Sequence, residues 1–267
     1  MREVRTMTGR SIIEKIEEKY PVSLAEEWDN VGLLVGDPDR EVNTVLVALD
    51  LTDETLELAA EAGADLIVTH HPMLFKPVSR VTALDRTGRR ILALAERRIS
   101  CYAAHTNFDV AGMAALNAAD LGLENDAPLE VTGLDENDIP FGLGRIGDLK
   151  EAVTAGALAE KVKEICGLDA VRLYGPAERL VRRAAVCGGS GKSLIGDAIR
   201  EGAEVFVTGD LDYHSAIDAV SDGLILIDAG HYGTEKGFIA CMAETIREFA
   251  PDLAVIEAPV KQPYTVV

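Results

Sequence analysis

The sequence is short of positive charge, of paired cysteines and of long apolar runs, and each shortage removes a class of protein. Lysine and arginine together number 26 against 45 acidic residues, for a formal net charge of −19. A surface of that sign repels a phosphate backbone, which argues against general nucleic-acid binding and reads as a solvated acidic exterior. The four cysteines, Cys101, Cys166, Cys187 and Cys241, are far apart and form no C-x-x-C pair. Each stands in apolar company, so buried free thiols in a reducing cytosol are expected, not a disulfide framework or a zinc knot. No apolar run approaches the roughly 18 residues of a membrane-spanning helix. The N-terminal stretch MREVRTMTGRSIIEKIEEKY is charged throughout and lacks the apolar core of a secretory signal. A cytoplasmic protein without a membrane anchor is the expectation.

What is present is apolar and regularly spaced. The chain has 267 residues, 48% of them hydrophobic, which excludes a disordered tail protein. Its length suits one large or two modest domains, with roughly 73% of the surface buried on folding. Short β-branched runs occur at 44–50, 65–71, 98–105, 182–189, 204–210, 224–231 and 253–258. Helical patterns lie between them at 53–63, 84–98, 112–122, 191–202, 213–221 and 234–248. Continuous apolar strands separated by helices predict an α/β fold with a largely parallel sheet covered on both faces. The region 122–150, rich in Gly, Asp and Pro, breaks the rhythm and reads as a boundary or crossover between two α/β halves.

One motif resembles a phosphate-binding loop. VCGGSGKS (186–193) lies between a strand and a helix, but the full pattern needs glycine six positions before the lysine, where Val186 stands. The segment therefore reads as a Gly-rich strand-to-helix turn.

The five histidines are the most informative residues. His70 and His71 end the run at 65–71, His105 ends the one at 98–105, His231 ends the one at 224–231, and His214 follows the run at 204–210. All five are expected at one sheet edge, beyond the carboxyl ends of strands, where open α/β sheets bind ligands. Carboxylates accompany them. Asp109 stands four residues after His105, just before a helix beginning near Gly112, and Glu235 stands four after His231, in the first turn of a helix opening at Thr234. Asp210 and Asp212 precede His214. Imidazole and carboxylate together suit zinc, manganese, iron or nickel, and a carboxylate can bridge two ions.

The segments WDNVGLLVGD (28–37), VALDLTDETLELAAEAGADLIVTHHP (47–72), HTNFD (105–109), CGGSG (187–191), VTGDLDYH (207–214) and DAGHYGTE (228–235) resemble the GTP cyclohydrolase 1 type 2 homologue family, also called the Nif-three-like dimetal-binding family. The resemblance runs in order over nearly the whole chain. It implies two α/β domains with mostly parallel sheets, one formed by 1–125 with 232–267 and a middle one by 126–231. It also implies two divalent metal ions per chain in the cleft between them, and a ring-shaped homohexamer built from dimers.

Carried over by position, the family's ligand pattern falls on His70, His71, Asp109, His231 and Glu235, with Glu235 as the bridge. His105 matches a further family histidine at the rim of the site, and is the candidate for proton transfer. Many relatives have Thr-Gly-Glu where this chain has Thr208-Gly209-Asp210, and longer relatives carry an inserted domain for which this chain has no room.

The resemblance implies a metal-dependent hydrolase that opens the ring of GTP or a similar nucleotide, with Lys76, Arg80 and Lys236 as the few candidate phosphate partners. A metal-dependent phosphoesterase and a non-catalytic metal-binding assembly or partner protein remain as alternatives.

Overall fold

The structure, a computed structural model, describes residues 7–259 and 262–266. The ends of the expected first domain, at 1–6, 260–261 and 267, lie outside the described residues. The chain divides into two compact units, the first within Met1–Phe108 and Phe238–Lys261, the second within Asp109–Gly237 and Gln262–Val267.

The first unit is built on five strands in the order Ala254–Glu257, Thr44–Ala48, Leu66–Thr69, Ser100–Ala103 and Gly32–Val35. Neighbours run parallel except at the last pair, where Gly32–Val35 is antiparallel to Ser100–Ala103. Side chains alternate across a strand, and here both faces are covered. Leu46, Ala48, Ile67 and Cys101 share one core with Leu56 and Ala59 of helix Asp53–Glu61 and Leu94 of helix Arg86–Arg97. The intervening Val45, Val47, Leu66, Val68 and Tyr102 are buried as well.

Helix starts follow local chemistry. The Thr52 hydroxyl accepts the Thr55 N–H at 3.0 Å, and the Asp85 carboxylate accepts the Gly88 N–H at 2.8 Å, each relieving a donor that the first turn leaves without a partner. The charged N-terminal segment, which reads as no element in the sequence, forms helix Gly9–Lys19 and buries Ile12, Ile13 and Ile16 along one stripe.

The second unit carries six strands in the order Leu123–Leu134, Pro140–Thr154, Leu180–Ser190, Val205–Gly209, Ile225–Asp228 and Arg172–Tyr174. The central three are mutually parallel, while the outer pairings are antiparallel, so this sheet is mixed rather than mostly parallel. Ala184, Val186, Val205, Val207, Ile225 and Ile227 face Leu158 and Val162 of helix Ala155–Ile165. Ala185, Phe206 and Leu226 face Ala198 and Ala216 on the other side. The α/β class stands, with one main sheet in each unit and a two-stranded pairing of Met7–Thr8 with Glu41–Val42 beside the first.

Two expectations are revised. Residues 122–150 are not a crossover but most of a long hairpin within the second sheet. Helix Ala114–Leu121 falls in the second unit, whose main stretch is Asp109–Gly237. The reason is packing: Leu121, at the end of helix Ala114–Leu121, is buried in the second unit's core with Leu149 and Val186. The histidines do not share one sheet edge either, since His70, His71 and His105 follow strands of the first sheet and His214 and His231 those of the second. Among the described residues, no helix is long and apolar enough to cross a membrane. All four cysteines are free, Cys101 and Cys166 buried, Cys187 and Cys241 half-buried.

Candidate metal centre

In the first unit, strand Leu66–Thr69 stops just short of two histidines whose backbone is still held by the sheet. The His70 N–H reaches Ala48 O at 3.2 Å and the His71 N–H reaches Leu49 O at 2.9 Å. Next along the sheet, Ser100–Ala103 delivers His105. The three rings cluster, with centroids 4.9 Å apart for His70 and His71, 5.2 Å for His70 and His105, and 5.5 Å for His71 and His105. One ring nitrogen from each lies within 4.8 Å of those of the other two. The His70 ring is fully buried and packs on Phe238 at 4.9 Å and Phe108 at 6.1 Å.

The orientation of each ring is fixed from behind. His70 Nδ1 lies 2.9 Å from the Ala104 carbonyl oxygen, an acceptor only, so Nδ1 is the protonated nitrogen. His71 Nδ1 meets Asp50 Oδ1 at 3.0 Å, and His105 Nδ1 meets both Asp29 oxygens at 2.9 Å. Asp29 also accepts the Thr106 N–H at 3.0 Å and its hydroxyl at 2.6 Å.

In the second unit, His231 and Glu235 lie on helix Gly230–Glu235, and the four-residue spacing puts them on one face with His231 Nε2 3.2 Å from Glu235 Oε2. The helix begins at Gly230, not Thr234, so Glu235 closes it and a favourable N-terminal dipole does not account for its burial. Asp109 opens a π-helical turn, Asp109–Met113, within a helical stretch that starts at Thr106, not near Gly112. Such turns recur at functional sites because they re-aim a side chain. An Asp109 carboxylate oxygen lies within 4.8 Å of one from Glu235, so Glu235 neighbours both of the other donors of its unit.

His231 repeats the pattern of the first unit, its Nδ1 2.9 Å from Asp210 Oδ2. Asp210 adopts a left-handed backbone (φ 55°), and Gly209 before it passes so close to Gly230 that a Cβ there would meet backbone at 2.5 Å. Asp228 ties the two loops together. Its Oδ1 accepts the Gly230 N–H at 2.9 Å, while its Oδ2 accepts the Leu211 N–H at 3.2 Å and pairs with Arg172 at 2.6 Å.

Four histidines thus each engage an oxygen through Nδ1, which leaves Nε2 as the ring atom that offers a lone pair. That is the usual support of a metal-bound imidazole, where the oxygen fixes the tautomer and raises ligand basicity. Within each unit the donor chemistry, three imidazoles in the first and an imidazole with the carboxylates of Asp109 and Glu235 in the second, fits a divalent transition metal.

The model of the Duf34/NIF3 (NGG1p interacting factor 3) family matches residues 7–263. The chain belongs to that family. A Lactococcus lactis relative named GTP cyclohydrolase 1 type 2 homolog is 39% identical, the match covering 91% of this chain and 93% of that one. Among solved structures, a Bacillus cereus protein related to NIF3 is 27% identical with a TM-score of 0.93, covering 98% of this chain and 99% of that chain. Reduced HcgD from Methanocaldococcus jannaschii is 34% identical with a TM-score of 0.80, covering 96% and 99%.

Within this Duf34/NIF3 chain, His214 stands apart from the other histidines. It is exposed on helix Tyr213–Ser221, and its ring contacts Tyr213. Lys192 of the loop-like GKS segment pairs with Asp212 at 2.6 Å, a surface ion pair. The glycines ahead of it have a different use: Gly189 is left-handed (φ 64°) and a Cβ there would lie 2.3 Å from Glu235 Oε1. The turn lets the backbone run beside the carboxylate. Burial first, then the negative charges of Asp109, Glu235 and Glu130, push the adjacent Cys187 thiol well above its ordinary range, which keeps it protonated.

The orienting residues Asp29, Asp50 and Asp228 are not singled out by the sequence, although WDN, VALD and DAGH contain them. Asp29 has a measurable signature. Burial by itself raises its pKa, but hydrogen bonds from His105 and Thr106 outweigh that and hold it down to about 2. A folded pKa below the unfolded value stabilises the fold above roughly pH 4, and that stability is lost as pH falls towards about 2. In chelator-treated protein, wild-type stability should fall through that window while Asp29→Asn gives a flatter profile. Parallel denaturation curves for the two would remove Asp29 from the acid response.

Proposed function

We propose that this chain is a dinuclear metal-dependent hydrolase acting on a nucleotide or purine-like ring, with His70, His71, Asp109, His231 and Glu235 as metal donors. The observation that carries the proposal is the shared posture of the histidines, each fixed through Nδ1 by a carboxylate or carbonyl oxygen. Glu235, beside both Asp109 and His231, is the donor suited to serve two ions. A bound pair of divalent ions supplies an activated water and charge stabilisation for a developing oxyanion.

The chain's own residues do the rest. Opening the five-membered ring of a purine requires water to add at C8 and a nitrogen to leave with a proton. His105 carries that proton at Nε2 while Asp29 holds its Nδ1, the arrangement of a general acid–base imidazole. The relatives' name, GTP cyclohydrolase 1 type 2 homolog, supports the substrate class. The proposal extends, on the family resemblance, to a homohexameric ring of dimers in the cytoplasm.

Elemental analysis of protein purified without oxygen should give about two metal ions per chain, as two incomplete shells with room for water require. A folded, metal-replete protein with a ratio near zero would refute the centre. His105→Asn should keep its metal and lose turnover by about 10²-fold, whereas loss of metal would make His105 a ligand or an orienting residue. Phosphate release without ring opening would assign the chain to the phosphoesterases, and inertness to a broad screen would favour a binding assembly.

A further inference from the structure

Beside the three histidines of the first unit lies an aromatic pair that the chemistry above does not use. Trp28, the chain's one tryptophan, is 60% exposed and Phe75 is 49% exposed. Their rings are nearly parallel, 20° apart with centroids separated by 6.0 Å. Both stand edge-on to His105, Trp28 at 6.0 Å and 75°, Phe75 at 5.6 Å and 74°.

The pair is held in place rather than left on a loose loop. Asp29, next to Trp28, is the carboxylate that takes hydrogen bonds from His105 and Thr106. The Glu26 N–H donates to Thr106 Oγ1 at 2.9 Å. Asn30 Nδ2 donates to the carbonyl of Leu74, the residue before Phe75. The turn bearing Trp28 and the loop bearing Phe75 are therefore fastened to each other and to the strand end that carries His105. Large rings exposed to water at the mouth of a polar cluster are the usual mark of a ligand surface.

We infer that Trp28 and Phe75 form a stacking platform for a flat heteroaromatic ring of nucleobase size, which presents the ring's edge to His105. This rests on the reading of the histidine cluster as part of a metal-dependent centre and specifies which part of the substrate the protein grips. Stacking is tolerant of ring identity because any base has a π face, and removing one aromatic partner weakens binding by about 10- to 100-fold.

The sole tryptophan makes the test direct. Guanosine added to the full-length protein should quench Trp28 emission saturably, beyond its effect on free N-acetyltryptophanamide, while ribose 5-phosphate should not. Phe75→Ala should weaken the guanosine response about 10- to 100-fold, and Trp28→Ala, followed by equilibrium dialysis, should do the same while leaving the melting temperature near wild type. The response should persist after chelation.

Absence of saturable quenching, an equal effect of ribose 5-phosphate, or emission that changes on dilution alone would overturn the platform, the last by showing that a second copy covers it. Two metal ions per chain without guanosine quenching would sink the platform alone. Quenching in a protein that binds no metal would sink the metal-dependent reading and leave the platform standing.

Discussion

Glu235→Ala is expected to lower metal affinity by more than about 100-fold, beyond the roughly 10- to 100-fold typical of losing an orienting partner, with the fold intact. Glu235 is buried, 3.2 Å from His231 and with a carboxylate oxygen within 4.8 Å of one from Asp109, so its removal takes away the donor that neighbours both. The chelated variant should melt no lower than the chelated wild type, because alanine also removes a buried carboxylate that stands beside another negative charge. His71→Ala should lose metal likewise. His214→Ala should retain it, since that ring is exposed on helix Tyr213–Ser221. Competitive chelator titration with parallel thermal melts checks the set, and equal metal loss in all three variants would refute the ligand assignment.

Gly189→Ala should also weaken metal binding, although glycine offers no ligand. Its Cβ would lie 2.3 Å from Glu235 Oε1 and 3.3 Å from His231 Nε2, in a backbone with φ of 64°. Two penalties are mixed there. The left-handed conformation costs alanine about 1 kcal/mol, and the new methyl must push the carboxylate aside. Gly202→Ala separates them, since Gly202 is also left-handed (φ 77°) and a Cβ there meets nothing within 4 Å. In chelator Gly202→Ala should lose about the backbone cost alone and Gly189→Ala more than that, and only Gly189→Ala should lose metal affinity, by about 10-fold or more. Unchanged metal binding in Gly189→Ala would show that Glu235 has other room to sit.

These expectations depend on features the sequence reveals unequally. The inner parallel strands of both sheets are plain as apolar runs because they are covered on both faces, as Val205, Phe206 and Val207 illustrate by dividing between two cores, whereas the short edge strands Gly32–Val35 and Arg172–Tyr174 are not. The hairpin Leu123–Leu134 and Pro140–Thr154 is hidden, since its exposed stretches mix Glu, Asp and Gly with few apolar residues and so resemble a loop. The helix around Asp109 is displaced in the sequence reading because a π-helical turn at Asp109–Met113 breaks the 3.6-residue period. Donor residues stand out as scarce imidazoles at strand ends. Two of their orienting partners do not, because Asp29 is 76 positions from His105 and Asp50 is 21 from His71. Aspartates are common in so acidic a chain, and nothing local marks these two, whereas Asp210 stands out only as a neighbour of His214, not as the partner of His231.

The discontinuity of the first unit has a consequence for synthesis. Strand Thr44–Ala48 lies between Leu66–Thr69 and Ala254–Glu257, and the second of these neighbours emerges only after the whole of Asp109–Gly237. At about 5–20 residues per second, the nascent chain spends on the order of 10 s or more with TVLVA paired on one side only. An apolar strand edge left open for that time is a template for pairing with another chain. The intervening unit has its own sheet and cores and can fold while the first is incomplete, so AVIE arrives late at the edge of a sheet whose other four strands are already made. Ribosomes that stall before Ala254 would release a chain with one finished half and one adhesive one.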